Sequence, residues 1–158
     1  NILNEKKQSE SKPNVLPKNL HTLQFRWHFN QEIKQKVLPD SIHTLIFGHN
    51  FNRELKPNTL PDNLHALKFG DKFNQEIKPK VLPHKLNTLK FGLEYNKTIK
   101  QKVLPNGLHT LKLGIYFDQK IECGVLPATL RIVECSMRVK GYLIATVAIP
   151  QNAIIKAY

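Results

Sequence analysis

The chain has 158 residues, 41% of them hydrophobic, and a formal net charge of +12. That is enough for one domain of ordinary size with an apolar core, and the positive charge favours acidic partners without bearing on the fold. No apolar run of membrane-spanning length and no secretory signal is visible, and the cysteines do not make a disulfide framework. The longest apolar run, Tyr142 to Ile149, falls well short of a span; residues 1–14 are charged and polar; and there are two cysteines, Cys123 and Cys135.

So few thiols point to a reducing, intracellular and cytoplasmic setting, with a disulfide between the two left open. The first residue is Asn and not Met, which points to a piece of a longer polypeptide. Residues 4–14 match nothing else in the chain and read as a polar tail or linker, so residues 1–14 are set apart from the rest of the chain.

From Val15 onward the sequence repeats every 22 residues. Leu-Pro recurs at Leu16, Leu38, Leu60, Leu82, Leu104 and Leu126, each followed by Pro, without a slip in register. A fixed short period of this kind is the mark of a stacked solenoid. Four residues after each such Leu comes an apolar residue, as in Ile42, Leu64 and Leu86; three further on stand Leu45, Leu67 and Leu89; two further on, Phe47, Phe69 and Phe91. The last spacing is that of a strand, with Leu45 and Phe47 inward and Thr44 and Ile46 outward. Gly48, Gly70, Gly92 and Gly114 then let the backbone turn away where a side chain would obstruct it.

A second inward pair comes next: Phe51 and Leu55, Phe73 and Ile77, Tyr95 and Ile99, Phe117 and Ile121. Their spacing of four fits a helix, but Pro57 and Pro79 fall in the same segment, and the residue before each Leu-Pro proline is pushed to extended backbone. The segment is therefore expected to be extended or tightly turned. Each repeat is one coil of a right-handed β-rich solenoid, with a parallel sheet on one face, turns on the other and little helix. Asn30, Asn52, Asn74 and Asn96 stack at one corner, where an amide can bond the backbone of the next coil. Residues 15–127 form the regular array. Residues 128–158 form a degenerate repeat and C-terminal cap: Val139 and Leu143 hold the inward columns of the extended or tightly turned segment, and Ala153, Lys156 and Tyr158 half-match a last strand.

Leu-x-x-Leu-x-Phe at this period, with Phe-Asn-Gln-Glu-Ile at 29–33 and 73–77 and Leu-Lys-Phe-Gly at 67–70 and 89–92, resembles the FNIP repeat, a leucine-rich-repeat relative known mainly from social amoebae and their giant viruses. The pattern departs after the Ile, where Lys34 and Lys78 follow and the proline is delayed. The resemblance implies an interaction scaffold. It also implies that a larger protein could carry an F-box upstream and recruit ubiquitin-ligase machinery.

Columns with residues suited to chemistry are few. His21, His43, His65 and His109 are interrupted by Asn87 and lack the convergent ligands of a metal site; they read as solvated or turn-bonding residues. Lys68, Lys90 and Lys112 form one outward lysine column, and Lys34, Lys56, Lys78 and Lys100 another on the opposite flank. Stacked like charges serve solubility and edge protection, or an anionic partner such as nucleic acid. No nucleophile–base grouping or phosphate-cradling loop is found, so no catalytic residue, metal or cofactor is assigned. Partner recognition is expected where coils differ, on the outward strand positions and the loop after the strand. The residues chosen are Trp27, His49, Lys68, Lys90, Lys112 and Tyr116. Trp27 is either an anchor of the kind enriched at binding hot spots or a cover for the N-terminal end of the core.

Overall fold

Each repeat contributes one strand only three or four residues long. The computed structural model describes residues 16–146, 149–150 and 152–158; the expected tail at 1–14 lies outside them. The strands are β1 (Thr22–Gln24), β2 (Thr44–Ile46), β3 (Ala66–Lys68), β4 (Thr88–Lys90), β5 (Thr110–Lys112), β6 (Ile132–Cys135) and β7 (Ile154–Ala157), with one helix, α1 (Met137–Thr146), between the last two. They form a single parallel sheet in sequence order. Pairing is in strict repeat register: Leu23 lies against Leu45, Leu45 against Leu67, Leu67 against Leu89 and Leu89 against Leu111. The fold is a leucine-rich-repeat-like parallel β-solenoid.

Strands this short are marginal alone. Stacking stabilises them, because each coil buries its apolar residues on the next. Two aromatic columns run through the core. Phe25, Phe47, Phe69 and Phe91 stack at 5.4–5.5 Å beside the sheet. Phe29, Phe51, Phe73, Tyr95 and Phe117 stack at 5.9–6.1 Å further from it. Within one coil the two columns touch, with Phe69 and Phe73 at 3.8 Å. Burial raises the Tyr95 phenol well above its ordinary range.

Three turns per coil explain the sequence punctuation. The Leu-Pro proline carbonyl accepts from the amide three residues on, as in Ile42 to Pro39 at 3.1 Å. After the strand, the Phe51 amide donates to Gly48. A third turn closes from Val81 to Lys78 and from Thr59 to Lys56. Its third residue is left-handed at the equivalent place in successive coils: Lys36, Asn58, Lys80, Lys102 and Gly124 have φ between 60° and 80°. Pro57 and Pro79 occupy its second place, the pattern of a type II turn. The prolines thus do exclude helix there, by setting a turn.

The Gly column stands where a side chain would be obstructed, as expected, and the obstacle is the backbone of the preceding coil. None of Gly48, Gly70, Gly92 or Gly114 has positive φ. Instead, a Cβ at Gly70 would lie 1.9 Å from the Gly48 carbonyl oxygen, and one at Gly92 2.2 Å from that of Gly70. The coils meet backbone to backbone there, and no side chain fits between them.

The Asn column behaves as expected: Asn52, Asn74, Asn96 and Asp118 amides donate to the side-chain oxygens of Asn30, Asn52, Asn74 and Asn96 at 2.9–3.1 Å. One residue breaks the internal pattern without a compensating partner. Thr59 stands where other coils have Val81, Val103 and Val125; it is 2% exposed and its hydroxyl has no hydrogen-bond partner among the described residues.

The C-terminal coil departs from expectation in two ways. Val139 and Leu143 are buried in their columns, but on α1 and not on extended backbone. No proline interrupts 128–149, the spacing of four suits one helix face, and Ser136, in the Gly column, caps the helix by accepting from the Val139 amide. The last strand also sits one residue earlier than the sequence match. Ile155, not Lys156, takes the Leu column opposite Val133, with Lys156 opposite Glu134. Pairing in this register turns an apolar side chain to the core instead of a lysine. Cys135 is buried and Cys123 exposed, both as free thiols; burial pushes the Cys135 thiol up to about 11.

Candidate functional site

Coil spacing is smaller beside the sheet than away from it. The stacked His21, His43 and His65 rings, next to the strands, lie 5.4 and 5.2 Å apart, against 5.9–6.1 Å in the outer aromatic column. Equivalent atoms separate more with distance from the sheet, so the array curves towards it and the sheet lies on the concave side. Outward strand residues and the loop after each strand therefore converge on one face.

The sequence-chosen residues fall into three groups on this face. At the β1–β2 end, Trp27 is 60% exposed and lies flat on His49, with ring centroids 4.1 Å apart and planes 4° from parallel. His49 Nδ1 is 3.0 Å from Asp71 Oδ2 in the third coil. Trp27, His49 and Asp71 occupy one loop column, so one coil's aromatic is held by the next coil's imidazole and that by the next coil's carboxylate.

In the middle, Lys68, Lys90 and Lys112 stand in register on β3, β4 and β5. They line a groove of about 350 Å3 together with Asp71, Leu93, Ile115 and Tyr158. Lys112 Nζ sits 4.9 Å from the centre of the Tyr158 ring and 3.9 Å from Glu134; the Tyr158 hydroxyl donates to the Leu113 carbonyl. Among the described residues, neither Lys68 nor Lys90 makes an ion pair. Tyr116, the remaining choice, is 66% exposed next to Ile115 but does not line the groove.

Sequence reasoning pointed to the loop after the strand, which supplies the apolar half of the groove, but chose neither Leu93 nor Ile115. Leu93 (46% exposed) and Ile115 (43%) continue the Trp27 loop column, and exposed Met137 continues it again. Their signal was present: large aliphatic residues at a loop position that is aromatic, imidazole or carboxylate in the preceding coils. A larger hollow of about 480 Å3 lies between two Leu-Pro turns, but turn residues such as Leu38, Pro39, Leu60 and Pro61, alike in every coil, supply much of its wall.

The second lysine column is not the bare stack expected. Lys56, Lys78 and Lys100 each reach back to the preceding coil and pair at 2.7 Å with Glu32, Glu54 and Glu76. Hydrogen bonds from Lys56 and Lys100 hold the Glu32 and Glu76 carboxyls below their ordinary range, and Glu54 raises Lys78. These exposed pairs add little stability each, but they offset the charge of three of the four lysines in that column. In the His column, the Nδ1 atoms of His43 and His65 are buried without hydrogen-bond partners among the described residues. Among the described residues, no three His, Cys, Asp or Glu side chains converge to hold a metal.

With this geometry in place, the sequence comparison is decisive. The model of the FNIP Repeat family matches residues 9–50, 51–94 and 95–134. The chain belongs to the FNIP-repeat family. Among solved structures, this FNIP array is similar to CroV588, a giant-virus-associated protein described as a novel circular LRR protein, with 36% sequence identity and a TM-score of 0.80. That match covers 92% of the present chain and 21% of CroV588, so the chain spans about a fifth of that protein. No curated protein sequence matches the chain. Among the described residues, no helix is long and apolar enough to cross a membrane.

Proposed function

We propose that this FNIP array is a non-catalytic scaffold that recognises a protein through its concave sheet face. The observation that carries this reading is the contrast between the two flanks. On the outer flank, asparagine and Glu–Lys ladders repeat from coil to coil and satisfy one another. On the concave face the loop column changes with every coil, from Trp27 to His49, Asp71, Leu93 and Ile115, and exposed Trp27, Leu93, Ile115 and Tyr116 lie in that loop, as recognition by repeat proteins requires.

The curvature supports the same reading. The spacing widens by about 0.6 Å between two aromatic columns at most 4.0 Å apart within a coil, a wedge of roughly 9° per coil or more, so at most about forty such coils would complete a turn. CroV588 is described as circular, and we read the present chain as an arc of a comparably curved array within a longer protein. A place in an F-box-type recruiter of ubiquitin ligase rests on the family resemblance alone, and co-precipitation of the full-length protein with ligase components tests it.

Polyanion binding is the weaker reading, because the Glu ladder pairs with three of the four lysines in one of the two columns that motivated it. Selection of peptides from a random displayed library tests the main proposal. Enriched peptides should lose binding to Thr88→Arg, on the concave face, and keep it to Lys97→Glu, on the outer flank. The reverse pattern, or no enrichment, counts against it.

A further inference from the structure

The groove over β3, β4 and β5 has two unlike walls. One is the lysine row, in which Lys68 and Lys90 make no ion pair among the described residues and Lys112 only a long one to Glu134. The other is the loop row, where Leu93 and Ile115 expose aliphatic surface on adjacent coils. Tyr158 closes one end, its ring beneath the Lys112 ammonium and its hydroxyl on the Leu113 carbonyl. Adjacent strands place successive lysines about 4.8 Å apart. Ammonium groups stacked this closely repel, and a carboxylate lying between two of them relieves that repulsion.

We propose that this groove receives an acidic segment of a protein partner that carries an aliphatic or aromatic anchor. Its carboxylates bridge Lys68 and Lys90, and its anchor packs on Leu93 and Ile115. The inference rests on the interaction reading and adds to it a location and a partner chemistry. Charge complementarity sets the sign of the partner: the three lysines face two carboxylates at the groove, Asp71, already bonded to His49, and Glu134, near Lys112. The aliphatic wall sets the class. Single-stranded nucleic acid needs exposed aromatic rings alongside the cations for its bases to stack on. Here the only exposed groove ring among the described residues is Tyr158, engaged with Lys112; Phe69 and Phe91 also line the groove but are buried, and Trp27 lies on the first coil against His49.

The test uses three labelled probes with the intact chain at near-physiological salt, read by fluorescence anisotropy. The first is a Glu/Asp-rich peptide with a central Leu-Phe pair, the second the same peptide with that pair changed to Ser, and the third a single-stranded oligonucleotide of similar charge. The first should bind best, and both Lys90→Glu and Leu93→Ser should weaken it by about tenfold or more, as at the centre of a binding site. Both positions are at the surface, and matched thermal melts check that the variants fold. Equal binding of the first two probes, oligonucleotide binding as tight as the first, or indifference to Leu93→Ser each overturns the groove assignment. If displayed peptides of other chemistry are enriched and bind independently of Lys90 and Leu93, the groove fails while the scaffold reading stands. If no peptide binds anywhere, both fail.

Discussion

Three glycine-to-alanine substitutions add the same methyl group and should give three different results. At Gly92 the new Cβ would lie 2.2 Å from the Gly70 carbonyl oxygen, 2.4 Å from its carbon and 2.5 Å from Asp71 Cα. Relieving those overlaps needs a separation of about 1 Å or more between two coils, since nonbonded carbons settle near 3.5–4.0 Å. The Glu94 amide to Asp71 carbonyl bond, now 2.9 Å, would pass beyond hydrogen-bonding range. The Phe69–Phe91 and Phe73–Tyr95 stacks on either side would loosen with it. One lost buried backbone bond and a partly opened aromatic layer amount to about 3–5 kcal/mol. At Gly107 the nearest atom is the His84 carbonyl oxygen at 3.2 Å, and a small shift suffices, so the change should stay within about 1 kcal/mol. At Gly141, inside α1 with nothing within 4 Å, alanine should stabilise by about 0.5–1 kcal/mol. Urea denaturation followed by far-UV circular dichroism gives the midpoints. A Gly92→Ala midpoint equal to that of Gly107→Ala would refute backbone contact as the reason for the glycine column.

Thr59→Val replaces a buried, unpartnered hydroxyl with the residue that Val81 and Val103 place in the next coils, and should raise stability by about 1–2 kcal/mol in the same assay; a loss would mean the hydroxyl has a partner after all. Lys102→Gly relieves a left-handed lysine (φ 63°) and should gain up to about 1 kcal/mol, whereas Gly124→Ala at φ 80° should lose about as much; changes of the same sign would contradict the turn geometry. Burial raises the Tyr95 phenol, so its contribution is complete below the ordinary tyrosine value near 10 and declines as pH rises from there towards the folded value. Stability measured from about pH 9 to 11 should fall more steeply for the native chain than for Tyr95→Phe; parallel curves would show that Tyr95 is not desolvated.

The architecture was legible because the repeat supplies its own alignment. Leu45, Phe47 and Phe51 read as inward from spacing alone, and the Asn column read as an inter-coil ladder because backbone groups at a corner need partners. What spacing did not disclose were contacts between unlike positions of neighbouring coils. Glu32 meets Lys56 across 24 residues, not 22, so a column-by-column reading showed only stacked lysines. The helix at Met137–Thr146 was hidden because its inward spacing of four is shared with segments that prolines keep out of helix. The candidate face was half legible. Its lysines share one column and stood out, whereas Leu93 and Ile115 share theirs with Trp27, His49 and Asp71, and aliphatic exposure is a property of the folded loop.

The most direct test of the interaction account is site-specific photocrosslinking to a peptide selected on the protein. A photoreactive residue at position 90, in the lysine row of the concave face, should attach to the bound peptide, and one at position 56, on the Glu–Lys flank, should not. Attachment from position 56 and none from position 90 would place recognition on the flank that the repeat keeps uniform, and would contradict the account.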